Sequence, residues 1–169
     1  MLVSYGGTDP TDQTSRALRV LSEPRFRELQ VDVVLGDGHP NRDQVLALAG
    51  ARSGTRVHGS QPNLAELMAP ADVALGAGGV TRWERCAVGL PAVVTTVAEN
   101  QVPTTREMHD AGALLWLGRS EDVDDAELAR ALERLLAHPE DLFAIAERAW
   151  RASDGCGALR VAEAMLPTP

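Results

Sequence analysis

Apolar positions in this chain fall into short, near-continuous runs that alternate with segments striped at helical spacing. The runs lie at 2–5, 31–35, 55–58, 72–75, 92–97 and 113–117. Consecutive apolar positions over such short lengths are the pattern of parallel strands covered on both faces. Each run is followed by a helical segment. Positions 14–21 put Ala17, Leu18 and Leu21 on one face, and 44–49 do the same with Val45, Leu48 and Ala49. A short helix at 64–68 stops near Pro70. The segment 81–88 ends at Gly89 and leads through Leu90-Pro91 into the next strand, while 104–111 ends at Gly112, a residue suited to a left-handed C-cap. Two more helices follow. Leu128, Leu132, Leu135 and Leu136 stripe 125–137, and Leu142, Ile145, Ala149 and Trp150 stripe 142–152, with Pro139 between them.

Six strands alternating with helices predict an α/β fold: one doubly wound, parallel, six-stranded sheet of Rossmann type, with right-handed crossovers. Ligands of such sheets bind beyond the carboxyl ends of the strands. The polar loops fall at those ends, at 6–12, 36–41, 59–63, 76–81 and 98–101. No repeat, linker or low-complexity segment interrupts the pattern, and 169 residues are enough for one domain with its own core. The first strand starts at residue 2 with no lead-in, and Pro167-Thr168-Pro169 closes the chain just after an apolar helix. This reads as one domain of a larger protein, with a complete single-domain protein as the alternative.

Composition narrows the ligand more than the fold. The formal net charge of -8 disfavours a general nucleic-acid binder, which needs a surplus of cations to neutralise phosphates. A local nest of backbone N–H groups can still hold one diphosphate on an acidic protein. Every Lys-or-Arg position is Arg. Without lysine there is neither a Schiff base nor a P-loop lysine, so pyridoxal chemistry and Walker-type ATPase chemistry are out. Cys86 and Cys156 lie far apart with no C-x-x-C, which argues against a disulfide framework or a zinc site; Cys86 is expected as a small core residue. His39, His58, His109 and His138 are scattered, none at triad-like or metal-like spacing. Each is read as a surface or structural histidine, His39 being noted for its strand-end loop. No general base or nucleophile is evident, and neither a metal nor a cofactor is expected. No apolar run approaches the roughly 20 residues of a membrane span. No basic-then-apolar leader opens the chain, and the expectation is a cytoplasmic protein.

Chemistry concentrates in Gly76-Ala77-Gly78-Gly79-Val80-Thr81-Arg82-Trp83-Glu84. Strand, glycine turn and helix start follow one another, which exposes backbone N–H groups at the positive end of a helix dipole. That is an anion site, and phosphate is the usual anion. Thr81 adds a hydroxyl, and Glu84, one turn in, is placed to accept hydrogen bonds from a sugar hydroxyl beside the phosphate. Trp83 is read as packing. The alternative is a plain glycine turn with a solvated Glu84. Tyr5-Gly6-Gly7-Thr8-Asp9-Pro10 supplies glycines that let backbone pass close to a ligand; Thr8 and Asp9 either cap the next helix or bond the ligand. Ala98-Glu99-Asn100-Gln101 groups polar side chains at a strand end, where a sugar or phosphate can be read, and Asn100 is equally a candidate N-cap.

These three segments, in this order and spacing and with the middle one extended through Arg85-Cys86-Ala87-Val88-Gly89-Leu90-Pro91, resemble the C-terminal half of the UDP-sugar hydrolases of pseudaminic acid (nonulosonic acid) biosynthesis, relatives of the spore-coat polysaccharide biosynthesis proteins. The resemblance spans nearly the whole chain, and its middle segment is the most specific. More distantly the chain resembles the peptidoglycan GlcNAc transferase. These proteins share the GT-B architecture, two Rossmann-like domains with a nucleotide sugar between them, and the resemblance implies its C-terminal domain here. It also implies roles. Gly78, Gly79, Val80 and Thr81 would form the diphosphate loop, and Glu84 would hold the ribose hydroxyls. Asn100 and Gln101 would face the sugar or its phosphate, and Gly7 and Thr8 would line the cleft. Uracil would sit near residues 59–61, a placement resting on fold analogy. The implied partners are a UDP-sugar and an absent N-terminal domain or partner subunit. One departure stands out: the hydrolases carry G-x-G-H-x-x-R near the start of the N-terminal domain, its His the proposed base, and no such motif occurs in this chain. Glu99 stands where relatives often have Asp. The implied function is thus the UDP-sugar-binding half of a hydrolase. The alternatives are the donor half of a glycosyltransferase and a stand-alone binding subunit that needs a partner.

Overall fold

The computed structural model describes residues 1–166; the closing Pro167-Thr168-Pro169 lies outside them. The strands are β1 (Leu2–Ser4), β2 (Val31–Val34), β3 (Thr55–His58), β4 (Ala74–Ala77), β5 (Ala92–Thr96) and β6 (Leu115–Arg119). The helices are α1 (Gln13–Leu21), α2 (Arg42–Ala51), α3 (Ala65–Met68), α4 (Thr81–Ala87), α5 (Val102–Asp110), α6 (Asp125–Ala137), α7 (Pro139–Ala152) and α8 (Gly157–Met165). All strand pairs are parallel, and the order is β3-β2-β1-β4-β5-β6. This is the doubly wound Rossmann-like sheet that the alternating pattern predicts.

Alternate strand residues feed two cores, because successive side chains point to opposite faces. Val3, Val33, Leu75 and Val93 pack with Leu18, Val45, Leu128 and Leu132 on one face. Leu2, Ala74, Ala92 and Val94 pack with Met68, Cys86, Met108 and Ala149 on the other. Covering both faces is what makes the strands read as continuous apolar runs. Cys86 takes its expected core place.

Two strands lie two residues later than the apolar pattern predicts. β4 begins at Ala74 and runs on through Gly76 and Ala77. Gly76 pairs with Ser4 on one side and Val94 on the other. Only a glycine fits there, since a Cβ would stand 2.6 Å from Arg85 Nη1 and 2.8 Å from the Ser4 carbonyl oxygen. β6 is delayed because Ala113 and Leu114 close α5 instead. Gly112 takes φ +70°, its N–H reaches the His109 carbonyl (2.8 Å), and the Ala113 N–H reaches that of Met108 (2.9 Å), a Schellman closure. A bulge beside β5 follows, where Gly118 has φ +132°.

Helix boundaries also moved. α5 starts at Val102 behind a 3-10 turn at Glu99–Gln101, and α7 starts at Pro139, the proline taking the first helical position. Trp150 is not on the buried stripe: Ile145 and Ala149 are buried, while Trp150 lies 68% exposed at the edge of the stripe.

Candidate functional site

β1 and β4 are neighbours, yet the chain leaves them toward opposite edges of the sheet. That switch point opens a crevice beyond their carboxyl ends, the usual ligand position in such sheets. Two hollows flank it. One, of about 240 Å³, lies on the β2 side and is lined by Ser4, Gly6, Gly7, Gly36, Ser60, Gln61, Asn63, Thr81 and Glu84, among others. The second, of about 340 Å³, lies on the β5 side between Tyr5, Gly6, Thr8, Gly79, Val80, Thr81 and Gln101. Ser4, Gly6 and Thr81 border both.

The turn after β1 is built around a buried acid. Asp9 accepts from the Gln13 N–H (3.0 Å) and the Thr14 N–H (2.7 Å), capping α1 with both oxygens. Of the two roles open to Asp9, it takes the cap. Thr8 stays exposed on the second hollow, and Gly7 borders the first. The Gly7 carbonyl oxygen stands 2.0 Å from where a Cβ on Gly36 would be, so the turns after β1 and β2 meet backbone to backbone. His39 locks them together. Its Nδ1 accepts from the Asn41 N–H (3.1 Å), which leaves Nε2 as the donor facing Asp9 Oδ2 (3.3 Å) and Asp12 Oδ1 (3.8 Å). Asp9, Asp12 and His39 are the one group of metal-competent side chains found together among the described residues. Both Asp9 oxygens are already bonded to α1 amides, and the trio's evident work is to fix the turn. His39 is therefore structural.

The glycine loop is pressed between β5 and α5. Gly78 is buried, and a Cβ on it would stand 2.3 Å from Thr105 Oγ1. The N–H groups of Gly79, Val80 and Thr81 have no acceptor among the described residues, while the Gly79 and Val80 carbonyls already receive the first helical bonds from Arg82 (3.1 Å) and Trp83 (2.9 Å). Open N–H groups at such a turn are an anion-binding feature. Glu84 lies three residues beyond Thr81 on the same face of α4. It borders the first hollow, is exposed, and makes no ion pair among the described residues. Gln101 accepts the Val97 N–H at Oε1 (3.0 Å), which leaves its NH₂ group as the free end on the loop side.

The site residues read from the sequence thus divide. Gly7, Thr8, Gly79, Val80, Thr81, Glu84 and Gln101 line one hollow or the other, and Gly78 sits directly behind the loop. Asn100 is exposed, lines neither hollow, and makes no cap; the turn and α5 start at Ala98 and Gln101 without side-chain caps. Glu99 forms an ion pair with Arg119, and that partner holds its carboxyl below the ordinary range. Trp83 is 39% exposed with the Arg82 guanidinium 5.3 Å from its ring centre, a surface cation–π pair rather than core packing. Two arginines that the motif reading passed over belong here. Arg85 is 2% exposed, and burial pulls its guanidinium down to about 10. Arg82 is half-buried, is lowered by the same cause, and keeps an unpartnered buried Nε.

No protein-family model matches the chain. Over 95% of its length it is 27% identical to the spore coat polysaccharide biosynthesis protein SpsG of Bacillus subtilis (strain 168), of which it covers 48%. Its fold matches that of Acinetobacter baumannii MurG, with a TM-score of 0.77 and 19% identity across 97% of this chain and 48% of the other. It also matches the UDP-GlcNAc 2-epimerase of Neisseria meningitidis bound to UDP-GlcNAc, at 0.68 and 17%, across 96% and 42%. The chain spans about half the length of each of these proteins. It has the fold of a GT-B C-terminal domain and is similar to SpsG along nearly all of its sequence. None of the described helices is long and apolar enough to cross a membrane.

Proposed function

We propose that the crevice is the UDP-sugar-binding half of a GT-B enzyme of surface-polysaccharide or nonulosonic-acid synthesis. The observation that carries this reading is the set of open N–H groups at Gly79, Val80 and Thr81, with the unpaired Glu84 carboxylate three residues on and a hollow at each side. Diphosphate is held at the loop. Ribose hydroxyls meet Glu84, and uracil lies in the first hollow near Ser60 and Gln61. The sugar enters the second, where Thr8 and the Gln101 amide meet its hydroxyls. SpsG's part in polysaccharide synthesis and the UDP-GlcNAc bound by the epimerase of like fold support the assignment.

Among the side chains lining the second hollow the one ionisable group is Tyr5, and burial pushes its phenol well above the ordinary range, so it keeps its proton. A base for water must therefore come from elsewhere. In the proposed whole protein a second domain or a partner subunit supplies it and directs water at the sugar–diphosphate linkage, a hydrolase. An acceptor hydroxyl in the place of water makes the same half-site that of a glycosyltransferase, and the product formed by a full-length parent, free sugar or glycosylated acceptor, separates the two. The binding assignment is tested by calorimetric titration of this chain with UDP, CMP and ATP. Saturable binding of UDP in preference to the other two is expected; equal or absent binding of all three contradicts it.

A further inference from the structure

The glycine loop is held from behind by two cations that have no carboxylate partner among the described residues. Arg85 Nη2 donates to the Ala77 carbonyl (2.8 Å), and Arg82 Nη1 donates to those of Gly78 and Gly79, the latter at 3.0 Å. Three successive carbonyls are thereby turned toward guanidinium groups. In a trans peptide the C=O and N–H point in opposite directions. The N–H groups of Gly79 and Val80 consequently point away from the arginines, and they are two of the open donors of the crevice. Neither arginine forms an ion pair with a described carboxylate. An isolated buried charge is costly unless something compensates it. Packing alone does not call for such an arrangement, because an apolar side chain of similar volume would fill the space beside Gly76 without it.

We infer that Arg82 and Arg85 are positioning residues for the diphosphate: they turn the loop's carbonyls inward, present its amides to the ligand, and supply the positive charge that the ligand's phosphates neutralise. This rests on the reading of the crevice as a UDP-sugar site. Neither side chain lines the hollows, which makes each a positioning residue rather than a proposed contact. Their effect must grow with phosphate charge and vanish for an uncharged nucleoside, which distinguishes it from a structural role.

The test compares wild type, Arg85→Met, Arg85→Lys and Arg82→Gln in titrations with UDP, UMP and uridine, each protein being checked by thermal unfolding. Loss of either guanidinium should weaken UDP about tenfold or more, as expected for a unit charge within one turn in a partly buried setting. UMP should lose less, and uridine should stay within about twofold. Arg85→Lys, which keeps charge and one donor, should recover most of the loss. UDP affinity unchanged in a folded variant, or UDP and uridine weakened equally, overturns the inference while leaving the nucleotide-sugar reading intact. If Arg85→Met does not fold, Arg82→Gln, at a half-buried position, decides by the same criteria. Failure of wild type to bind UDP at all overturns both.

Discussion

Glu84 and the loop glycines show how single residues divide the work of the crevice. Glu84 is exposed, makes no ion pair among the described residues and stands three residues beyond Thr81, where the proposed site places the ribose rather than the phosphates. Its contribution should therefore be independent of phosphate charge. Glu84→Ala is expected to weaken UDP by about 1–3 kcal/mol, the ordinary cost of losing hydrogen bonds to a charged acceptor, and to weaken uridine by the same factor. Titration of both ligands checks this, and an unchanged UDP affinity removes Glu84 from the site. That pattern is the reverse of the one expected for Arg85, which leaves uridine untouched. Asp9 and His39 show the other use of polar residues here. Both are buried, and they hold the first turn in shape without facing the ligand.

At the scale of elements, the junction of β4, the glycine loop and α4 is fitted against α5. Gly78 is the tightest point, with Thr105 Oγ1, Thr96 Cγ2 and Gln101 Cβ at 2.3, 3.1 and 3.3 Å from a hypothetical Cβ. Gly78→Ala must push the loop off α5. We expect it to destabilise the fold by about 1–3 kcal/mol, the range for overpacking a tight site, and to weaken UDP as well. Adding Thr105→Ala should restore part of both losses, because the two positions share one contact; thermal unfolding and titration of the single and double variants measure it. The same junction shows what the sequence reading could reach. The apolar runs revealed six strands and their parallel arrangement, since strands covered on both faces carry that pattern locally. They misplaced β4 and β6 by two residues, because Gly76 extends β4 through backbone pairing with Ser4 and Val94 that no apolar side chain announces, and Ala113 and Leu114 are apolar core residues that belong to a helix closure. The glycine turn, Thr81 and Glu84 were legible as a contiguous motif. The Arg85 bond to Ala77 and the His39–Asp9 contact were not, as each depends on where the folded chain brings a side chain. Asn100 carried a favourable residue type and neighbourhood, but the 3-10 turn leaves it out in solvent.

For the molecule as a whole, a chain of formal net charge -8 can bind a diphosphate as proposed only by local means. Open amides and two guanidiniums without carboxylate partners among the described residues gather at the switch point of the sheet. The chain covers about half of SpsG and of MurG, which fits a proposed architecture in which a second domain closes over the sugar. The most direct test of the central claim is the amide spectrum of ¹⁵N-labelled protein during titration with UDP. The resonances of Gly79, Val80 and Thr81 should move saturably and together, with those of Gly6 and Gln101 among their followers. Saturable UDP binding that leaves the three loop amides unmoved would contradict it.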